Sequence, residues 1–211
     1  MDLLLYDLLL PLQATEMSGD ITVVAVDDRS LETLGRWPWD RSLHAALVSR
    51  ISAAGSRVIG MDMLFVEPQH DNPLADSTLA EALEATTAVL AVAPAQRSSG
   101  EGISELVPIP ALAATASEMG HVDLEIDVDG LCRSTFLRAG LGDPRWHSLP
   151  LAMLNTQTPF ELASTADVAP EQRAGWVRRE ERLIPFTSPD QQPRLVSYAA
   201  VLSGAVPDAA F

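Results

Sequence analysis

The sequence predicts an α/β fold with a mixed, mainly parallel sheet, helices on both faces and an antiparallel hairpin. Three apolar runs of strand length, residues 21–26, 58–66 and 88–93, alternate with segments of helical periodicity. Strands that alternate with helices are typical of parallel sheets covered on both faces. Further along, the turn signal Asp129-Gly130 between two strand-like segments predicts the hairpin.

The N-terminal segment differs from the rest of the chain. Residues 2–10 are Leu-rich with helical period and stop at Pro11, so we expect a stalk helix and linker over residues 1–19. We expect residues 20–211 to form the folded domain. No apolar run approaches the roughly 18 residues that a membrane helix needs. The Leu-rich start and abrupt end favour a domain cut from a longer protein.

Residues 21–62 are predicted to form a βαβ unit. The first strand stops at Asp27-Asp28, a helix over residues 42–54 follows, and the next strand reaches Asp62. Such a unit implies two parallel neighbouring strands and a right-handed crossover. Ligands of open α/β sheets bind beyond the carboxyl ends of the strands. We therefore expect the three carboxylates to lie together at that edge.

Two aspartates are placed to cap helices, Asp28 before residues 29–34 and Asp40 before residues 42–54. In the segment 121–129, apolar and acidic residues alternate, which predicts a strand with one solvated, acidic face. The other predicted elements are helix 76–85, helix 111–117, strand 132–141, helix 147–157, strand 182–186 and helix 196–202.

The net charge and the cysteine content exclude several classes of function and site. The net charge is −15, and all 14 basic residues are arginine, which argues against nucleic acid as a partner. The same balance disfavours an anionic membrane surface. Cys132 is the only cysteine, so neither an intrachain disulfide nor a cysteine metal cluster is predicted.

The string Arg36-Trp-Pro-Trp-Asp-Arg41 allows two interpretations. It is either a ligand clamp over the strand ends, or a structural plug with Trp37 or Trp39 buried and Arg41 paired to Asp62 or Asp27. The candidate ligand-binding residues are Asp27, Asp28, Arg36, Trp37, Trp39, Arg41, Asp62 and Glu67.

Enzyme motifs are weak in this sequence. Asp27, Asp28 and Asp62 match a Mg²⁺ phosphohydrolase in part, but the lysine of phosphate-handling receiver domains is absent. The acidic string ending at Gly130 lacks the calcium-loop glutamate, since Phe136 stands at its twelfth position. We predict no catalytic residue, no metal and no cofactor, and keep the phosphohydrolase as an alternative.

Several strings occur in an order typical of one family. They are Ile21-Thr-Val-Val-Ala-Val-Asp-Asp-Arg-Ser-Leu31, Leu34-Gly-Arg-Trp-Pro-Trp-Asp-Arg41, Ile59-Gly-Met-Asp-Met-Leu-Phe65, Gly120-His-Val122, Asp127-x-Asp-Gly130 with Arg133, and Val196-Ser-Tyr-Ala-Ala-Val-Leu202. With them the chain resembles the type 2 CHASE domain, the cyclase/histidine-kinase-associated sensory extracellular module of bacteria. The family usually continues into one more strand, so we expect a strand to be missing after Phe211.

The resemblance implies a function. Residues 20–211 are expected to be a non-catalytic, extracytoplasmic (periplasmic) sensory domain of an inner-membrane protein, coupling an external signal to a cytoplasmic cyclase or kinase. The implied partners are an unknown small-molecule or physical signal and the membrane through flanking segments, and a homodimer is compatible with them. A structural dimerisation module without a small ligand is the other alternative.

Overall fold

A computed structural model describes residues 19–96, 102–159, 175–187 and 192–211. The chain divides into two compact units, a smaller one of Met1–Pro38 with Leu183–Phe211 and a larger one of Trp39–Arg182. The stalk helix predicted over residues 2–10 lies outside the described residues. No described helix has both the length and the apolar character needed to cross a bilayer.

Helices separate the strands at residues 22–25, 59–61 and 88–96, as the sequence predicts, and further along the chain several strands follow one another directly. In chain order they are β1 (Thr22–Ala25), α1 (Asp28–Leu34), α2 (Arg41–Ala53), β2 (Ile59–Met61), α3 (Pro73–Glu84), β3 (Ala88–Gln96), β4 (Ile103–Leu106), α4 (Pro110–Ala113), β5 (Glu118–His121), β6 (Leu124–Glu125), β7 (Ser134–Leu141), β8 (Trp146–His147), α5 (Leu149–Gln157), β9 (Trp176–Leu183), β10 (Arg194–Ser197) and α6 (Tyr198–Leu202).

The smaller unit is built on a parallel pair of strands from opposite ends of the chain. β1 pairs with β10 in a register that places Ala25 opposite Ser197. The prediction that β1 and β2 are neighbours is therefore wrong, because β2 pairs with β3 instead. β10 was missed because its four residues merge with the apolar start of α6, which was predicted as one helix over 196–202.

The larger unit contains the predicted mixed, mainly parallel sheet. β3 pairs in parallel with β2 and β5, and β4 adds an antiparallel strand. Residues 88–92 of β3 are fully buried, although side chains along a strand alternate between the two faces. Both faces of this central strand are therefore covered.

Glycines bring α5 onto one face of this sheet. A Cβ atom on Gly120 would lie 2.6 Å from the Cα atom of Leu149, and one on Gly60 would meet the Met153 side chain. Because side chains alternate, Ile59 and Met61 point to the opposite face, and α2 is the helix that contacts β2 there. The prediction of helices on both faces is confirmed.

A second sheet in the larger unit contains the predicted hairpin. β7 pairs antiparallel with β6 and β8, and β9 also pairs with β7. Gly130 adopts φ +84° in the turn, a backbone conformation that glycine tolerates best. The strand predicted over 182–186 begins earlier, as β9.

The predicted strand 121–129 is shorter than expected, since only His121 of β5 and the two residues of β6 are in strand conformation. Leu124, Ile126 and Val128 are 49, 67 and 100% exposed, whereas Asp123 is buried. The prediction that the acidic residues face solvent is therefore wrong for Asp123, which Arg178 holds inside, and it is confirmed for Asp129, which is exposed.

Candidate functional site

The eight candidate binding residues fall into two groups, four in each unit. Asp27, Asp28, Arg36 and Trp37 belong to the smaller unit. Trp39, Arg41, Asp62 and Glu67 belong to the larger unit.

Asp27 braces the smaller unit at the carboxyl ends of its two strands. Its Oδ1 atom accepts hydrogen bonds from the Ser30 backbone N–H at 2.9 Å, from the Ser30 hydroxyl and from the Ser197 hydroxyl at 2.9 Å. Asp27 therefore caps α1. The prediction that Asp28 is the cap is wrong by one residue.

The same cluster reaches the start of the last helix. The Ser30 side chain is fully buried, and its hydroxyl accepts the Ala199 backbone N–H at 3.0 Å. The Ser30 hydroxyl, opposed in part by burial, is the main group that lowers the pKa of Asp27. Asp27 is thus ionised and joins two strands and two helix starts.

The other three candidates of the smaller unit lie on its surface. Asp28 is exposed in the first turn of α1, where a carboxylate interacts favourably with the helix dipole. Arg36 is exposed, and Trp37 is 38% exposed. These side chains are accessible to a ligand, whereas Asp27 is committed to internal contacts.

In the larger unit, Asp40 starts α2 and fixes the loop that precedes α3. Its Oδ1 atom accepts the Ser42 backbone N–H at 2.8 Å, as the sequence predicts. Its Oδ2 atom accepts the side-chain amides of Gln69 at 2.8 Å and Asn72 at 3.0 Å. These bonds, led by those from Ser42, lower the pKa of Asp40 to about 2.

Arg41 continues this connection. Its guanidinium forms an ion pair with Asp76 of α3, donates to the Glu67 carbonyl and lies 5.3 Å from the centre of the Phe65 ring. The carboxylate partner of Arg41 is thus Asp76, where the sequence analysis expected Asp62 or Asp27. The Asp40 network, which we define as Asp40, Arg41, Gln69, Asn72 and Asp76, holds α2, the loop and α3 together.

The remaining candidates of the larger unit divide in the same way. Trp39 is only 6% exposed, so the plug interpretation is confirmed for this tryptophan. Asp62 and Glu67 are exposed. Glu67 accepts the hydrogen bond from Arg41 through its backbone carbonyl and not through its side chain.

Two further polar clusters in the larger unit were not predicted. Asp123 accepts hydrogen bonds from Trp176 Nε1 at 2.8 Å and from Arg178 Nε and Nη2 at 2.6 and 2.8 Å. Arg178 also pairs with Glu125 and lies over the Phe136 ring. The partners lie more than 50 residues apart in the chain, so no local pattern predicts them.

The second cluster closes the hairpin. Arg133, whose side chain is 4% exposed, pairs with Asp127 at 2.8 Å and with Asp129 at 2.7 Å. The Arg133 guanidinium lowers the pKa of Asp129 to about 2. The string that partly matches a calcium loop is thus an arginine-paired turn. Among the described residues no group of three or more His, Cys, Asp or Glu side chains could hold a metal ion.

Two histidines are buried and held neutral. His121 is 1% exposed, and its Nδ1 atom accepts the Asp123 backbone N–H at 3.3 Å. His44 is 2% exposed and meets the edge of Phe65. Burial lowers the pKa of each to about 4, with Asp123 opposing the shift at His121 and Asp40 opposing it at His44.

Taken with the fold, these contacts define a mixed α/β domain in which the acidic and arginine side chains of the described clusters brace neighbouring elements. The family model of the CHASE2 domain matches residues 1–211, so the chain belongs to the CHASE2 domain family. This is a family of sensory extracellular domains of signalling proteins, and such domains are not themselves catalytic. Searches of curated proteins and of solved structures gave no match.

Proposed function

We propose that this chain is the extracytoplasmic signal-input domain of a bacterial transmembrane signalling protein. In this proposal the domain couples an external signal to a cytoplasmic cyclase or kinase. Membrane segments outside this chain connect the domain to that enzyme. The observation that carries the proposal is the family match over residues 1–211.

The chemistry of the strand-end carboxylates supports an input domain over the Mg²⁺ phosphohydrolase. A metal-dependent hydrolase needs carboxylate oxygens that are available to the ion. The Oδ1 atom of Asp27 already accepts three hydrogen bonds from Ser30 and Ser197. Asp27 is thereby suited to holding α1 and β10 together. A sensor needs such contacts in order to transmit a conformational change from one element to the next.

We assign the eight candidate residues to two roles in this function. Within each unit taken by itself, the exposed side chains are the ones available to a signal molecule: Asp28, Arg36 and Trp37 in the smaller unit, and Asp62 and Glu67 in the larger. The internally bonded residues Asp27, Trp39 and Arg41 position them. A ligand that favours one arrangement of the braced elements shifts the population toward it.

The location can be tested in the natural full-length protein. Alkaline phosphatase, which is active only outside the cytoplasm, is inserted in frame after residue 211, with a cytoplasmic fluorescent reporter at the same position as control. We expect phosphatase activity and no fluorescence. The opposite pattern would overturn the extracytoplasmic assignment.

The binding role can be tested on residues 1–211 by thermal shift against a library of metabolites and metal ions. A ligand present at 100 times its Kd stabilises the folded state by about 2.7 kcal/mol. Arg36→Ala should weaken the shift for a ligand of the smaller unit, and Asp62→Ala should weaken it for a ligand of the larger unit, whereas Arg194→Ala, an exposed control, should weaken neither. If no compound in a broad library raises the melting temperature, the result would favour a structural dimerisation module without a small ligand.

The phosphohydrolase alternative is tested on the same preparation. A Mg²⁺-dependent phosphatase activity that is lost in both Asp28→Ala and Asp62→Ala would overturn the sensory proposal. We expect the wild-type chain to show no activity above the level of these variants.

A further inference from the structure

The hairpin of the larger unit carries a row of exposed apolar side chains. We call Leu124, Ile126, Val128 and Leu131 the hairpin row; they are 49, 67, 100 and 54% exposed. Leu124 lies in β6, and the other three follow it in the irregular segment and turn that lead to β7. A contiguous exposed apolar surface marks an interaction site more often than a scattered one does.

The outward direction of the row is fixed from the other side of the strand. Arg178 grips Asp123 through two nitrogens and also pairs with Glu125, and Arg133 holds Asp127 and Asp129. A shift of one residue would exchange the two faces and break all of these bonds. The row therefore cannot turn inward without the loss of two arginine clusters.

The row also borders an open strand edge. Among the described strands β6 pairs only with β7. Lysine, proline or inward-pointing charge usually protects such an edge from pairing with another chain. The segment 124–128 contains neither lysine nor proline, and its two carboxylates, Glu125 and Asp127, are paired with Arg178 and Arg133.

We propose that the hairpin row is a homodimerisation surface, covered by the hairpin row of a second copy of this chain. A two-fold contact uses the same patch on both copies, so it places the apolar side chains of one hairpin row against those of the other.

Charge favours this site over others for contact between two copies. Each copy carries a net charge of −15, so their surfaces repel one another in general. In the hairpin, each of the four carboxylates from Asp123 to Asp129 has an arginine partner within the chain. Local repulsion is therefore reduced where the apolar row is exposed.

The size of the row sets the strength of the contact. Four side chains offer a few hundred Å² per copy, below the roughly 800 Å² per partner of standard interfaces. The dimer is therefore weak and depends on protein concentration. Such a contact fits a domain whose copies are held near each other by the rest of a larger protein, where the effective concentration is high.

The test is sedimentation velocity of residues 1–211 from about 10 μM to 1 mM, a range that spans weak complexes. We expect reversible dimerisation of the wild type, and at least a tenfold weaker association for the double variant Ile126→Asp, Val128→Asp. The matched control is Leu74→Asp, at a residue that is 74% exposed at the start of α3 and should leave association unchanged.

Two further readouts complete the test. In a Cys132→Ser background, Ile126→Cys should form a disulfide-linked dimer on mild oxidation, and Leu74→Cys should not. At 5 μM, where the protein is monomeric, the double variant should melt at the wild-type temperature. A wild type that stays monomeric at 1 mM, equal association of the double variant, or a double variant with a lower melting temperature at 5 μM would each overturn the proposal, the last because the row would then be covered within one chain.

Discussion

At the scale of single residues, carboxylates that resemble a ligand site in the sequence act mainly as braces. Asp27 and Asp40 both lie next to a predicted helix start, and they accept hydrogen bonds from serine backbone N–H groups and from serine, glutamine and asparagine side chains. The sequence predicts the capping chemistry because a cap is local. It cannot predict Ser197 as a partner of Asp27, since 170 residues separate the two.

The choice of Asp27 over Asp28 as the brace is testable. Asp27→Ala removes a helix cap, which costs about 1–2 kcal/mol, and also leaves the buried Ser30 hydroxyl without its acceptor. We expect Asp27→Ala to lower the free energy of unfolding by at least 1 kcal/mol in urea denaturation. Asp28→Ala, at an exposed position, should stay within about 0.5 kcal/mol of the wild type.

The buried histidines predict how stability depends on pH. Burial lowers the pKa of His44 and His121 from 6.5 to about 4, so between these values the unfolded chain binds protons that the folded chain does not. The free energy of unfolding therefore falls as pH drops from about 6.5 to 4, by up to about 3 kcal/mol for each histidine. Urea denaturation at pH 7.5, 5.5 and 4.5 measures this loss.

Two variants separate the histidine effect from general acid sensitivity. His121→Gln should reduce the pH dependence in this window to the share that His44 contributes, because glutamine does not titrate, and His70→Gln, at an exposed position, is the control. The carboxylates act at lower pH, since the pKa of Asp40 and of Asp129 is lowered from 3.8 to about 2. Their stabilisation is lost only as pH falls below about 4.

At the scale of elements, the sequence predicts most helices and strands but not all pairings. Buried runs such as β3 and the helical period of α2 are local signals, and both elements are found. The partner of β1 is not a local property, and the default of pairing successive strands fails because β10 is short and distant. The faces of β6 were misassigned because the arginines that attract its carboxylates lie on β9 and just before β7.

The contact between β5 and α5 gives a prediction at this scale. A Cβ atom on Gly120 would meet backbone atoms of Leu149, which cannot rotate away as a side chain can. We expect Gly120→Ala to destabilise the fold by about 1–3 kcal/mol, in the range of overpacked cores. Gly19→Ala, where a Cβ atom would meet nothing within 4 Å, is the matched control for urea denaturation.

Gly60→Ala tests the packing of α5 against the sheet with a milder clash. Its Cβ atom would meet the Met153 side chain, and a methionine side chain is flexible enough to move aside. The expected loss lies between those of Gly120→Ala and Gly19→Ala. A loss larger than that of Gly120→Ala would contradict the packing of α5 described above.

At the scale of the whole molecule, charge and composition exclude function classes, whereas the ordered sequence strings and the family match identify the class of protein. The 29 carboxylates exceed the 14 arginines by 15, so added salt should screen net repulsion in the folded state. We expect the free energy of unfolding to rise between 50 and 500 mM NaCl, a range over which the Debye length falls about threefold. A fall over this range would show that the arginine ion pairs outweigh the repulsion.

The pairing of β1 with β10 also has a consequence for synthesis. Chains emerge from the ribosome from the N-terminus, and folded units form as their segments become available. All segments of the larger unit, Trp39–Arg182, precede β10, whereas β1 waits until Ser197 has been made before it gains its described strand partner and the Ser197 hydroxyl that reaches Asp27. The larger unit is therefore complete first, and a chain interrupted between Arg182 and β10 carries all segments of the larger unit and a first strand without its described partner.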